Sequence, residues 1–132
     1  MARKIIPDII DHQDLAQLPG DCSIREAGRY MVEHGTGSVL VMKDGKLRGI
    51  FTERDALRIF VATRRNPDQT NVEDVMTGDP ETISPDATPE EALERMTVGN
   101  FRHMPVVEDG RVKGIISIGD ILGFLARAEE PA

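Results

Sequence analysis

The 132-residue chain has a single cysteine, Cys22, no tryptophan and one tyrosine, Tyr30. One thiol cannot build an internal disulfide framework. So few aromatic rings leave almost no stacking platform for single-stranded nucleic acid. Positive charge is also short: 16 Lys and Arg stand against 23 Asp and Glu, a net charge of −7, so the surface as a whole repels phosphate backbones and anionic lipid. No long apolar run follows Met1-Ala-Arg-Lys to make a signal peptide or a membrane span. Nucleic acid and membrane are therefore not expected partners, and a cytoplasmic location is expected. Catalytic machinery is missing as well. Gly35-Thr36-Gly37 is too short for a P-loop, Ser117 lacks the surroundings of a nucleophile elbow, and no histidine and carboxylate pair at catalytic spacing. His12 and His34 have no second ligand at metal-like spacing, and His12 among Asp8, Asp11 and Asp14 reads as an acidic surface loop. The expectation is a non-enzyme with no catalytic residue, no metal and no catalytic cofactor.

What is present is a duplication. Gly49-Ile50-Phe51-Thr52-Glu53-Arg54-Asp55 returns 65 positions later as Gly114-Ile115-Ile116-Ser117-Ile118-Gly119-Asp120. In each, an apolar strand ends as a helix begins, with a hydroxyl at the N-cap and aspartate three residues on. The same offset aligns Glu26 with Glu91, Met31 with Met96, Cys22 with Ala87, and Asp44-Gly45 with Asp109-Gly110, with no gap between Ser23 and Asp120.

Ile5, Ile6, Ile9 and Ile10 around Pro7 read as a short apolar strand or turn, and residues 12–20 as polar and irregular. Ser23 with Glu26 opens a helix whose Ile24, Ala27, Met31 and Val32 are expected to face the core, and Gly35 ends it. Strands 38–42 and 47–51 flank an Asp-Gly hairpin turn, and a helix follows from Asp55 with apolar Leu57, Ile59, Phe60 and Val61. Residues 63–71 turn polar and read as a surface linker. Thr88-Pro89-Glu90-Glu91 then opens the second copy's helix, with proline at its first position and Ala92, Leu93 and Met96 as its stripe. Met31, Met42, Met96 and Met104 are read as packing, and Cys22 as a small, partly buried residue before a helix. At 39% hydrophobic the chain is one compact domain's worth of material, so neither β-α-β-β-α copy is large enough to cover both faces of its own sheet. The expected fold is mixed α/β: two pseudo-symmetric β-α-β-β-α repeats packed through their small sheets. Repeat 1 covers residues 1–65, a linker 66–71, repeat 2 residues 72–127 and a tail 128–132.

The duplicated Gly-apolar-apolar-Thr/Ser-x-x-Asp, with Asp74-Val75-Met76-Thr77 before the second copy and Arg102-His103-Met104-Pro105-Val106-Val107 opening its hairpin, resembles a tandem pair of cystathionine-β-synthase (CBS) domains, a Bateman module. The resemblance runs from about Ile5 to about Arg127. It implies a regulatory module that binds an adenosine-containing ligand (AMP, ADP or ATP, in some members NAD(H) or S-adenosylmethionine) in the cleft between repeats. It also implies a homodimer and, with nothing in this sequence beyond the repeats, a stand-alone module acting on an unidentified regulated protein.

The family role of the hydroxyl and the aspartate is ribose recognition, for which an ionised carboxylate is a suitable acceptor. The phosphate must then turn toward cations: Arg102 and His103 in the second copy, Arg54 in the first, where Gly37 and Ser38 occupy the aligned positions. Adenine is expected among Ile83, Met104, Pro105 and Ile116 beside Ser117 and Asp120. In the first copy it is expected among Leu18, Val39, Leu40 and Phe51 beside Ser38, Thr52, Arg54 and Asp55. Leu40 stands where the second copy has Pro105, so the second site is expected to be the stronger. Two alternatives stay open: each hydroxyl–aspartate pair satisfies helix capping alone, and the chain is a ligand-free dimerisation and interaction scaffold.

Overall fold

The computed structural model describes residues 3–11 and 13–128; the loop reading of His12 and the end of the tail lie outside the described residues. The fold is mixed α/β and repeats itself, as the duplication predicts. Residues Ala16–Pro80 form one compact unit. It runs β1 (Gln17–Pro19), α1 (Ile24–His34), β2 (Ser38–Lys43), β3 (Lys46–Thr52), α2 (Glu53–Ala62), a 3-10 turn at Val72–Asp74 and β4 (Thr77–Gly78). The sheet order is β1-β2-β3-β4, with β1 parallel to β2 and the other pairs antiparallel. The second unit joins the segment up to Leu15 to the chain from Glu81. It holds a π-type turn at Ile5–Ile9, α3 (Pro89–Gly99), β5 (His103–Glu108), β6 (Arg111–Ser117) and α4 (Ile118–Ala128).

Local chemistry explains the boundaries. Ser23 caps α1 in a reciprocal box with Glu26, and Gly35 closes it in the left-handed conformation. Thr88 caps α3 ahead of Pro89, and Asn100 takes the left-handed position at its end. Asp44-Gly45 and Asp109-Gly110 carry positive φ at both residues, which a two-residue hairpin turn needs to match strand twist.

The compact units cross the borders of the repeats. The segment that opens each copy docks on the turn that precedes α1 or α3 in the other. Ile5 and Ile6 donate their N–H groups to the Ala87 and Pro85 carbonyls, while Val72 and Glu73 donate to Cys22 and Gly20. Residues 66–71, read as a linker, are likewise held in place. Ile24 donates to Thr70, Arg25 donates to Pro67, and Arg25 pairs with Asp68. These contacts pair main-chain groups that burial would otherwise leave unsatisfied.

The units differ at their sheet edges. In one, Leu18 pairs with Val41 within β1; in the other the aligned Ile83 makes a single bridge to Val106. In one, β4 covers β3 at Gly49 and Ile50; in the other the Gln13 side chain does this work, accepting from the Ile115 N–H at 2.7 Å and donating to its carbonyl at 3.2 Å. The strand at Gln17–Pro19, where the sequence reads as irregular, exists because it pairs along β2.

Each unit has its own apolar core. One gathers Ile24, Ala27, Met31, Val39, Phe51, Ile59 and Val72. The other gathers Ile5, Ile10, Ile83, Ala92, Met96, Met104, Ile116 and Ile121. Met31, Met96 and Met104 are buried as expected, and Met42 is half-buried. Val32 departs from expectation: it is 83% exposed, since α1 turns its Ile24–Ala27–Met31 stripe inward. Cys22 is buried beside Asp21 and Glu26, and burial first, then these carboxylates, pushes its thiol up to about 11, which leaves it protonated and unreactive at neutral pH.

Ile5→Ala removes a fully buried side chain from a core encoded mostly 80 residues downstream, whereas Val32→Ala touches solvent. Urea unfolding is expected to show a loss of about 2–4 kcal/mol for the first and under about 0.5 kcal/mol for the second.

Candidate functional site

Two strand–helix junctions carry the hydroxyl and carboxylate pairs. β3 delivers Thr52 to the start of α2, and β6 delivers Ser117 to the start of α4. Each junction is pinned to the start of the facing strand, because the first helical N–H, of Glu53 or Ile118, donates to the carbonyl of Gly37 or Arg102. Strand register then sets the neighbours. Ser38 lies opposite Thr52, and His103 opposite Ser117.

Directly paired residues of antiparallel strands share a face, and successive residues alternate. One face of the β2–β3 ribbon carries Val39, Val41 and Phe51, with Leu18 beside them on β1, all belonging to the unit's core. The opposite face carries Ser38, Leu40, Ile50 and Thr52. In the β5–β6 ribbon, Met104, Val106 and Ile116, with Ile83, belong to the core, while His103, Pro105, Ile115 and Ser117 share the other face. The expected apolar residues therefore divide. Leu40 and Pro105 lie on the same face as the hydroxyls, whereas Leu18, Val39, Phe51, Ile83, Met104 and Ile116 pack under the helices. Ile50 and Ile115 were missed; both stand two residues before the hydroxyl, so period-2 alternation was the signal that places them.

The two carboxylates are held differently. Asp55 is 5% exposed. Its Oδ2 accepts from the Thr52 N–H at 3.0 Å and the Thr52 hydroxyl at 3.1 Å, while its Oδ1 accepts from Arg58 Nη2 at 2.8 Å. Thr52 Oγ1 in turn accepts the Asp55 N–H at 3.2 Å. Asp120 makes the reciprocal pair with Ser117, each acceptor 3.0 Å from the other's N–H, and is exposed. Among the described residues no cation pairs with it. Of the expected phosphate partners, Arg102 is exposed at the start of the hairpin, His103 half-buried and Arg54 exposed in the first turn of α2. Every second-copy candidate falls in one compact unit and every first-copy candidate in the other.

A repeated hairpin that ends in a hydroxyl cap and a third-position aspartate defines a class: a two-copy α/β module with one polar junction per copy. The CBS domain family model matches residues 7–62 and 72–127, so the chain belongs to the CBS domain family as a tandem pair. It is 36% identical over 107 residues to the mitochondrial CBS domain-containing protein CBSX3 of Arabidopsis thaliana, covering 77% of this chain and 52% of that one. The chain spans about half the length or less of the first curated relatives it matches. Among solved structures, a protein with CBS domains from Burkholderia ambifaria aligns with a TM-score of 0.91 at 27% identity over 98% of both chains. A CBS domain protein of Pyrobaculum aerophilum, complexed with AMP, gives 0.76 at 27% identity over 88% of this chain and 94% of that one. A CBS domain pair in complex with 5′-methylthioadenosine and S-adenosylmethionine gives 0.80 at 25% identity over 91% and 98%. CBS pairs of this kind are regulatory modules, and some bind adenosine-containing ligands.

Asp55→Ala removes a buried acceptor of two Thr52 donors and the partner of the exposed Arg58, so it is expected to cost about 1–3 kcal/mol in chemical denaturation. Asp120→Ala opens only an exposed cap and is expected to cost about 1 kcal/mol or less.

Proposed function

We propose that this chain is a non-catalytic, ligand-sensing regulatory module that binds an adenosine-containing nucleotide through the Ser117–Asp120 junction and signals to a partner protein. The observation that carries the reading is the exposed carboxylate of Asp120, which among the described residues bonds only its own cap, at the junction where Ser117 lies opposite His103. An ionised carboxylate accepts and does not donate, so it suits the vicinal hydroxyls of a ribose. A phosphate, repelled by Asp120, turns toward Arg102 and His103. Family members complexed with AMP, or with 5′-methylthioadenosine and S-adenosylmethionine, support the adenosine half of the ligand. AMP, ADP, ATP and NAD(H) share that half.

A thermal-shift screen with AMP, ADP, ATP, NAD, NADH and S-adenosylmethionine tests this. A ligand at a hundred times its dissociation constant stabilises by about 2.7 kcal/mol, several degrees in melting temperature for a domain of this size. The shift is expected in the wild type and lost in Asp120→Ala. A cooperative melt that none of the six moves favours the ligand-free scaffold.

The same module is proposed to act as a homodimer. In the unit of residues 16–80, α1 and α2 leave Val32, Leu57, Phe60 and Val61 largely exposed, beside a groove lined also by Arg25, Arg29 and Glu33. Large exposed apolar side chains rimmed by both charge signs suit a two-fold contact, in which arginine of one copy meets glutamate of the other. Phe60→Asp is expected to convert a dimer to a monomer in sedimentation velocity; a wild type that sediments as a monomer at high concentration removes the idea.

A further inference from the structure

The two junctions share a plan and differ in one electrostatic detail. Asp55 has little left to offer a ligand. Its Oδ2 accepts two donors from Thr52, its Oδ1 holds Arg58 in a charge-assisted bond, and its side chain is 8% exposed while that of Arg58 is 65% exposed. A carboxylate has about four lone-pair positions, and three are taken. At the position aligned with Arg58 the second copy has Gly123, and at the position aligned with Arg54 it has Gly119. Neither glycine can reach Asp120, so that carboxylate keeps one oxygen outside its cap.

From this we infer that Arg58 is an occupancy-determining residue: by neutralising Asp55 it keeps the first junction from binding ribose, so the chain takes one adenosine ligand, at Asp120. The inference rests on the nucleotide reading and sharpens it to a stoichiometry. A diol approaching Asp55 must displace a guanidinium that is a stronger donor than either ribose hydroxyl. The same diol approaching Asp120 displaces water. Arg58 has no place in the apolar core, so replacing it with methionine, another good helix former of similar length, removes the block and leaves Asp55 held by its Thr52 cap.

Isothermal titration of the full chain with AMP, and separately with ATP and S-adenosylmethionine, reads the number of sites. Wild type is expected to bind one ligand per chain and Asp120→Ala none. Arg58→Met is expected to bind two, and Arg58→Met with Asp120→Ala one. Arg58→Lys, which keeps the charge, is expected to stay at one. Two sites in the wild type, or one in Arg58→Met that Asp120→Ala abolishes, overturn the role of Arg58 and leave nucleotide binding intact. A folded chain that binds none of the three ligands in any variant overturns both.

Discussion

A reciprocal bond between a hydroxyl and a carboxylate, three residues apart, is the constraint on which each unit depends. It fixes where β3 or β6 stops and where α2 or α4 starts, because the hydroxyl accepts the aspartate N–H while the carboxylate accepts the N–H of the hydroxyl residue. Two of the orphan donors at a helix start are satisfied in one stroke. The next donor goes to the facing strand, at Gly37 or Arg102, which locks the helix against the hairpin. The proposed site thus uses the atoms that hold the fold. A ligand bound there would meet groups that are already ordered, which lowers the cost of binding.

The hairpins extend that constraint. Each ribbon divides its side chains between a face that packs under helices and a face that carries the junction hydroxyl. The bulges after Val41 and Val106 fall at matching places, and the same Asp-Gly turn closes both ribbons. A slip of one residue would exchange Met104 for Pro105 and Ile116 for Ile115, moving side chains shaped for one face onto the other. Register is therefore set by packing, and the residue opposite each hydroxyl, Ser38 or His103, is set by register.

Much of this was legible in the sequence because it is written in side chains. Ser23-x-x-Glu26, Thr88 before Pro89, the two Asp-Gly turns and the constant offset each carry a local physical signature, and each sits where that signature puts it. The docking of residues 4–6 on 85–87 and of 72–73 on 20–22 left no such imprint, since it is made by backbone N–H and carbonyl groups that every residue has. For the same reason the strand at Gln17–Pro19 was invisible, and Gln13, which reaches the strand edge with its side-chain amide, had no local signature to mark it. The division of apolar residues between core and junction faces was present in the alternation, but Met104, Pro105 and Ile116 cannot be sorted by hydrophobicity alone. The direction of Val32 was hidden in another way: the helical spacing places it at the border of the buried stripe, and only the packing of α1 decides the side.

Duplication usually leaves copies that diverge where the fold tolerates it, and the pattern of divergence is informative. Both copies keep the cap, the turn and the core, which the fold requires. On the helix that follows the cap they differ at positions 54 and 58 against 119 and 123. Glycine within a helix costs about 1 kcal/mol relative to alanine, so Gly123 is not there for the stability of α4. Its aligned arginine stabilises the other copy by pairing with a buried carboxylate. The first junction is satisfied within its own copy, and the second leaves an acceptor oxygen outside its cap on a helix that carries glycine. Under the proposed function, that is the trade expected of two junctions of which one binds and the other holds the structure.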